Sequence, residues 1–105
     1  MLRSLASSLV AQPLATLAEL SEAIGVSRAT LYRFCPTREE ILHRVMRHSM
    51  EMHSAIAKQC AEGDRPPAEV FDWMVEHYVE EREFAAFAFV HWFDLSDHRA
   101  FAGCS

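Results

Sequence analysis

The chain has little of what would place it among fibres, flexible tails, secreted scaffolds or membrane spans. Three Gly and four Pro in 105 residues are too few for a linker-rich polymer, and no stretch repeats. Cysteine is scarce and odd in number. Cys35, Cys60 and Cys104 lie far apart, form no CxxC and have no His at zinc-finger spacing. That pattern argues against a disulfide framework and for reduced thiols in a cytoplasmic protein. The N-terminal MLRSLASSLVAQP carries one Arg and an apolar run too broken for a secretion signal. The most apolar stretch, Phe84 to Phe93, is about half the ~20 residues a spanning helix needs, so no membrane segment is expected. Phosphate loops, paired catalytic carboxylates and nucleophile-base triads are missing too, which makes an enzyme the least expected class.

A positive charge excess is also missing. The net charge is -5, wrong in sign for a nucleic-acid binder, yet the distribution is uneven. Residues 1–50 hold six Arg against four Glu (+2), while residues 51–105 hold four Lys/Arg against eleven Asp/Glu (-7). A mildly basic front and an acidic rear suggest two jobs.

What is present is apolar material, half of all residues, arranged at helical spacing. Leu2, Leu5, Leu9 and Val10 form one stripe on a first helix that Pro13 stops. Thr16-Leu17-Ala18-Glu19 has the capping-box pattern, in which the Thr oxygen accepts from the amide three residues on and the Glu reaches back. A second helix is expected there, with Leu17, Leu20 and Ile24 inward. Gly25 stands where the chain must reverse in little space, a left-handed turn that a residue without Cβ adopts at least cost.

Ser27 then caps a third helix with Leu31 and Phe34 inward, which leaves Arg28, Ala29, Thr30, Tyr32 and Arg33 outside until Pro36 ends it. Thr37-Arg38-Glu39-Glu40 repeats the capping-box pattern. Behind it Ile41, Val45, Met52 and Ile56 predict a long fourth helix to about Cys60, with Gly63 as its stop. Pro66-Pro67 opens a fifth, whose stripe of Val70, Phe71, Met74, Val75, Tyr78 and Val79 faces inward, opposite Glu69, Asp72, Glu76 and Glu80. Phe84 to Phe93 is apolar around the whole helical wheel and must be buried all round, with cover expected from the fourth and fifth helices and from another chain or absent sequence.

The run GVSRATLYRF from Gly25 to Phe34, followed by PTREEIL from Pro36 to Leu42, closely resembles the N-terminal domain of the tetracycline-repressor-like (TetR) family of bacterial transcription regulators. The detailed match covers about residues 14–47. The resemblance implies an all-α protein: a helix-turn-helix DNA-binding head (1–47), then a long linking helix and a partial helical ligand-binding and dimerisation body (48–105). Two departures stand out. Cys35 replaces the second aromatic usually found before the Pro, which should loosen the recognition helix. The body also stops after the sixth helix, where complete members continue into the helices that usually dimerise, so ordinary dimerisation is in question.

In helix-turn-helix proteins the second helix of the motif lies in the major groove while the first crosses the backbone. On that geometry Arg28, Ala29 and Thr30 lie nearest base edges, where Arg reads guanine and a methyl meets thymine. Tyr32, Arg33, Arg38, Ser27 and the helix start at Thr16 serve the backbone or the cap. His43, Arg44, Arg47 and His48 add a cationic stretch that also reads as a solvated face. Trp73, Met74, Tyr78, Phe87, Phe89, Trp92 and Phe93 form either a pocket for a hydrophobic small-molecule effector or, more simply, core or interface. His77 with Glu80, Glu81 and His91 lacks the spacing of a metal site, and Cys35 near His43 lacks a third group to make a nucleophile. Neither a metal nor a cofactor is expected.

The function expected is a sequence-specific regulator, a repressor acting as a homodimer on double-stranded DNA and released by a ligand. The competing reading is a helical interaction module that pairs without productive DNA contact. A frameshifted remnant, prone to aggregate, is a third.

Overall fold

A computed structural model describes residues 1–96 of the chain, with side chains described as far as Trp92. These residues form six helices: α1 (Leu2–Ala11), α2 (Leu17–Ile24), α3 (Arg28–Phe34), α4 (Arg38–Glu62), α5 (Pro67–Glu80) and α6 (Arg82–Ser96). No strand occurs among the described residues. The all-α expectation holds, and α2, α3 and α4 start directly after the capping residues read from sequence.

The local causes are visible at each start. Thr16 caps α2 with the full reciprocal box to Glu19, and Ser27 caps α3 by accepting from the Thr30 amide. At α4 the Thr37 oxygen accepts from the Glu40 amide at 3.1 Å; this is the Thr half of the box expected there. Gly25 adopts φ 76° and ψ 30° and is the one described residue at positive φ. Its amide donates to the Glu22 carbonyl and the Val26 amide to the Ser21 carbonyl, which satisfies the end of α2 while the chain turns toward α3.

One apolar core joins these helices. Leu5, Ala6 and Leu9 of α1, Leu20 of α2, Leu31 of α3, Ile41, Leu42, Val45 and Met46 of α4, and Phe84, Phe87 and Ala88 of α6 are all buried in one cluster with Ala15 and Cys35. The core therefore crosses residue 47, where the sequence suggested the head ends. Cys35 fills its place in it, and burial pushes its thiol pKa up.

Two expectations about the rear are corrected. The cover of α6 comes chiefly from α1 and α4, with α5 a minor neighbour. Its buried residues Phe84, Phe87, Ala88 and His91 sit at i, i+3, i+4 and i+7, one face only, while Phe89 is 86% exposed and Val90 and Trp92 are also open. The α5 stripe is likewise split. Val70, Met74 and Tyr78 form one row and are half-buried, whereas Phe71, Val75 and Val79 form the next row and are exposed. A helix that touches α4 and α6 only lightly can hide one such row but not two.

Polar contacts fasten α6 to α1 at both ends. Arg3 donates to Glu83 at 2.8 Å, to both oxygens of Glu81 at 3.1 Å and to the Glu80 carbonyl at 2.9 Å. At the other end buried His91 stacks on Phe87 and donates from Nε2 to the Leu9 carbonyl at 3.1 Å. The Ser49 hydroxyl on α4 lies within hydrogen-bonding distance of the Phe84 carbonyl, at 3.1 Å, and of its own helix's Val45 carbonyl, at 2.9 Å. No helix of the described residues is long and apolar enough to cross a membrane.

Candidate nucleic-acid interface

The surface formed by α2 and α3 follows from the two caps and the glycine between them. With Leu20 and Leu31 buried, the opposite sides of both helices are left to solvent. A shallow cleft of about 340 Å³ lies between them, lined by Thr16, Leu17, Ala18, Arg28, Leu31 and Tyr32. Three of the residues expected to contact DNA, Thr16, Arg28 and Tyr32, thus border one concavity. A guanidinium, a phenol and the first amides of a helix are a set that suits a phosphate.

The start of α2 is less open to an anion than its sequence implies. The Thr16 amide donates to Glu19 Oε1 at 3.1 Å, and the Thr16 hydroxyl donates to the same oxygen at 3.0 Å. Those two bonds hold the Glu19 carboxyl below its usual pKa. The amides left for an outside anion are those of Leu17 and Ala18, which have no partner in the preceding turn of their own helix.

On α3, Arg28, Ala29, Tyr32 and Arg33 are exposed, and Tyr32 stands out at 61%. The Ser27 and Thr30 hydroxyls bond each other at 2.8 Å, so the Thr30 methyl is the part of that side chain with no internal bond to lose. Arg33 donates weakly back to the Ala29 carbonyl, at 3.3 Å.

Arg38 is placed differently. Expected at a phosphate, its guanidinium instead donates from Nε to the Ala15 carbonyl at 2.7 Å and from Nη2 to the Pro13 carbonyl. The sequence pattern marked the residue as notable but gave no sign of this partner, because the carbonyls of a connection have no signature.

Two further residues border the motif. Arg44 lies over the Phe34 ring at 4.6 Å, covering the last turn of α3 from the α4 side. Leu14 projects 87% exposed from the α1–α2 connection. An exposed Leu next to a Pro reads as plain turn, so only the fold reveals it.

The residues expected to form either an effector pocket or core and interface are not brought together in one place. Phe87 is core, and Phe89 and Trp92 face solvent. Tyr78 shares a hydrogen bond with His53 at 3.0 Å, Met74 is half-buried on α5, and the Phe93 side chain lies outside the described residues. Among the described members of the set, Trp73 alone borders the groove between α4 and α5, about 360 Å³, whose other walls include His48, Glu51, Met52, Ile56, His77 and Glu81. Apolar surface from Met52, Ala55, Ile56 and Trp73 lines much of that groove, with Glu51 and Glu81 adding acidic groups. His77 in it is engaged by the Trp73 carbonyl at 2.9 Å. Among the described residues no three His, Cys, Asp or Glu side chains gather as metal ligands.

Comparison with known proteins agrees with this geometry. Over 87 residues, 83% of the chain, the sequence is 34% identical to the HTH-type transcriptional regulator NfxB of Pseudomonas aeruginosa, and it spans 46% of that protein's length. No family model matches the chain, and no solved structure matches it significantly. A capped helix, a left-handed glycine turn and a second capped helix thus stand in a chain that is similar to an HTH-type transcriptional regulator.

Proposed function

We propose that the chain is a sequence-specific DNA-binding regulator of the tetracycline-repressor-like kind, acting in the cytoplasm as a repressor. In this reading α3 enters the major groove with Arg28, Ala29 and Thr30 toward base edges. Tyr32, Arg33 and the α2 amides at Leu17 and Ala18 meet phosphates on either side. The observation that carries it is the cleft shared by Thr16, Arg28 and Tyr32, which puts groups from both helices of the motif on one open face. Two heads on a pseudo-palindromic site would stand about one helical turn apart, ~34 Å, or somewhat more. Release by a small ligand, acting on the α4–α5 side, completes the reading.

Selection of an operator from a random duplex pool, followed by a salt titration, tests it. Affinity is expected to fall steeply with salt, by about 0.9 in log–log slope per phosphate contacted. Arg28→Ala is expected to cost about 1–3 kcal/mol at the preferred sequence and to relax preference at one base pair. An Arg28→Ala protein with unchanged sequence preference would remove α3 from the major groove in this account.

A second reading is favoured by the exposed apolar residues Phe71, Val75, Val79, Phe89, Val90 and Trp92. Such a surface suits a module that pairs with another helical chain. Sedimentation with and without DNA separates the two, since a chain that pairs but ignores every duplex in the pool is an interaction module only.

A further inference from the structure

The helix-turn-helix unit of this chain is a loop with two ends. It is entered through Ala15, just before the α2 cap Thr16, and left through Thr37, the α4 cap. Arg38 is the first residue of α4, yet its side chain crosses back to the entrance, donating from Nε to the Ala15 carbonyl at 2.7 Å and from Nη2 to the Pro13 carbonyl. The two acceptors flank Leu14 in the α1–α2 connection. One guanidinium therefore joins the place where the chain enters the motif to the place where it leaves.

We propose that Arg38 is a positioning residue for DNA binding: it staples the two ends of the α2–α3 unit together and acts through them, rather than by gripping a phosphate itself. The proposal rests on the DNA-binding reading above. Its physical basis is the edge of the guanidinium involved. Nε and Nη2 form the fork that matches two oxygens at once, and here that fork is spent on backbone carbonyls. Those carbonyls belong to a connection with no helical ladder to hold it. The Ala15 amide is fixed by the Gln12 carbonyl at 3.1 Å and the Ala15 methyl is buried, but the Ala15 and Pro13 carbonyls take their bonds from Arg38. Because Ala15 precedes the N-cap directly, its carbonyl sets the direction in which α2 departs. That direction in turn sets where the Leu17 and Ala18 amides point and how the cleft bordered by Arg28 and Tyr32 is shaped.

The staple and a phosphate contact make opposite demands on a lysine at this position. An ammonium keeps the charge and can meet a phosphate, but it has one nitrogen and no planar fork to hold two carbonyls. The test therefore compares the whole wild-type chain with Arg38→Lys and Arg38→Ala. Amide exchange is measured without DNA, and operator affinity is measured across a salt series.

Both variants are expected to exchange about tenfold faster at the Ala15, Glu19 and Leu20 amides, with the Val45 and Met46 amides of α4 unchanged. Both are expected to bind the selected operator about tenfold more weakly with the wild-type salt slope. The proposal is overturned if exchange is unchanged, or if Arg38→Lys binds as wild type while Arg38→Ala loses about 0.9 from the slope, the mark of a lost phosphate contact. Arg38→Lys guards against a merely unfolded alanine variant. A wild-type chain that selects no operator brings down the DNA reading and the positioning role with it, whereas normal binding with unaltered exchange in the variants brings down the staple alone.

Discussion

The end of the molecule that carries the helix-turn-helix and the end made by the far half of α4 with α5 are built to different standards. The first buries residues from α1, α2, α3, α4 and α6 in one continuous cluster. In the second, α5 has no buried residue at all, and Ile56 is the only buried side chain of α4 beyond Ser49. Both are helical and both carry ample apolar sequence. The difference is in how many closely packed neighbours each helix has, since a helix touched only lightly hides one row of side chains and a helix packed between two or three hides most of its surface. Local stability should follow that count, with the head opening only when the whole chain unfolds and the α4–α5 arm opening earlier.

The sharpest way to break the comparison is a matched pair of phenylalanines. Phe87 of α6 is completely buried in the cluster shared with α1 and α4, whereas Phe71 on α5 is 60% exposed. Phe87→Ala should cost about 3–5 kcal/mol through lost burial and the cavity left behind. Phe71→Ala should change stability by no more than about 0.5 kcal/mol. Denaturant unfolding of the two variants gives both numbers, and similar losses would show that α5 is far better packed than its exposure indicates.

A second pair uses the turns. Gly25 sits at φ 76° with open space where a Cβ would go, so Gly25→Ala meets no clash and its cost is purely the left-handed backbone, about 1–2 kcal/mol. Gly63, at the end of α4, has φ -86° and ψ 144°, and an added Cβ there would make only ordinary contacts at 3.6 Å. Gly63→Ala should therefore be neutral or stabilise by up to about 1 kcal/mol, because it restricts the unfolded chain. Thermal unfolding midpoints moving in opposite directions are the expected result. Equal shifts would mean that the turn between α2 and α3 is no more demanding than the arm's.

This pair also shows what could be read in the sequence. Thr16, Gly25, Ser27 and Thr37 act on residues within a few positions of themselves, so capping and turn chemistry announced the start of each of α2, α3 and α4. The same locality made Arg28, Ala29, Tyr32 and Arg33 readable as an outer face, since Leu31 and Phe34 are their neighbours on the same helix. What escaped was tertiary. That α1 rather than α5 covers α6, that the α5 stripe splits into two rows, and that Arg38 reaches Pro13 and Ala15 all depend on contacts between residues far apart in the chain. No spacing rule encodes them. His91 is the clearest case: in the sequence it was weighed only as an unsupported metal ligand, and its bond to the Leu9 carbonyl shows instead how it ties α6 to α1.

The smallest effect expected concerns acid. His53 on α4 shares its Nδ1 hydrogen bond with the Tyr78 hydroxyl of α5, their rings 5.3 Å apart, and burial holds its pKa below the ordinary 6.5. A base whose folded pKa is depressed takes up its proton more readily in the unfolded chain. Its contribution is therefore fully present above about pH 6.5 and is lost as the pH falls through that value toward the folded pKa. Because His53 fastens α5 to α4, the loss should appear as faster amide exchange along Met74 to Val79 between pH 7 and pH 5, after correction for intrinsic rates, while the Leu31 and Val45 amides hold. His53→Gln keeps a hydrogen-bonding group for Tyr78 but cannot titrate in this range. His48 and His77, which border the adjoining groove, remain in both proteins, so the difference between them isolates His53. If the variant's α5 amides respond to acid as the wild type's do, the pH sensitivity of the arm lies elsewhere, and the hydrogen bond between His53 and Tyr78 is not what holds it.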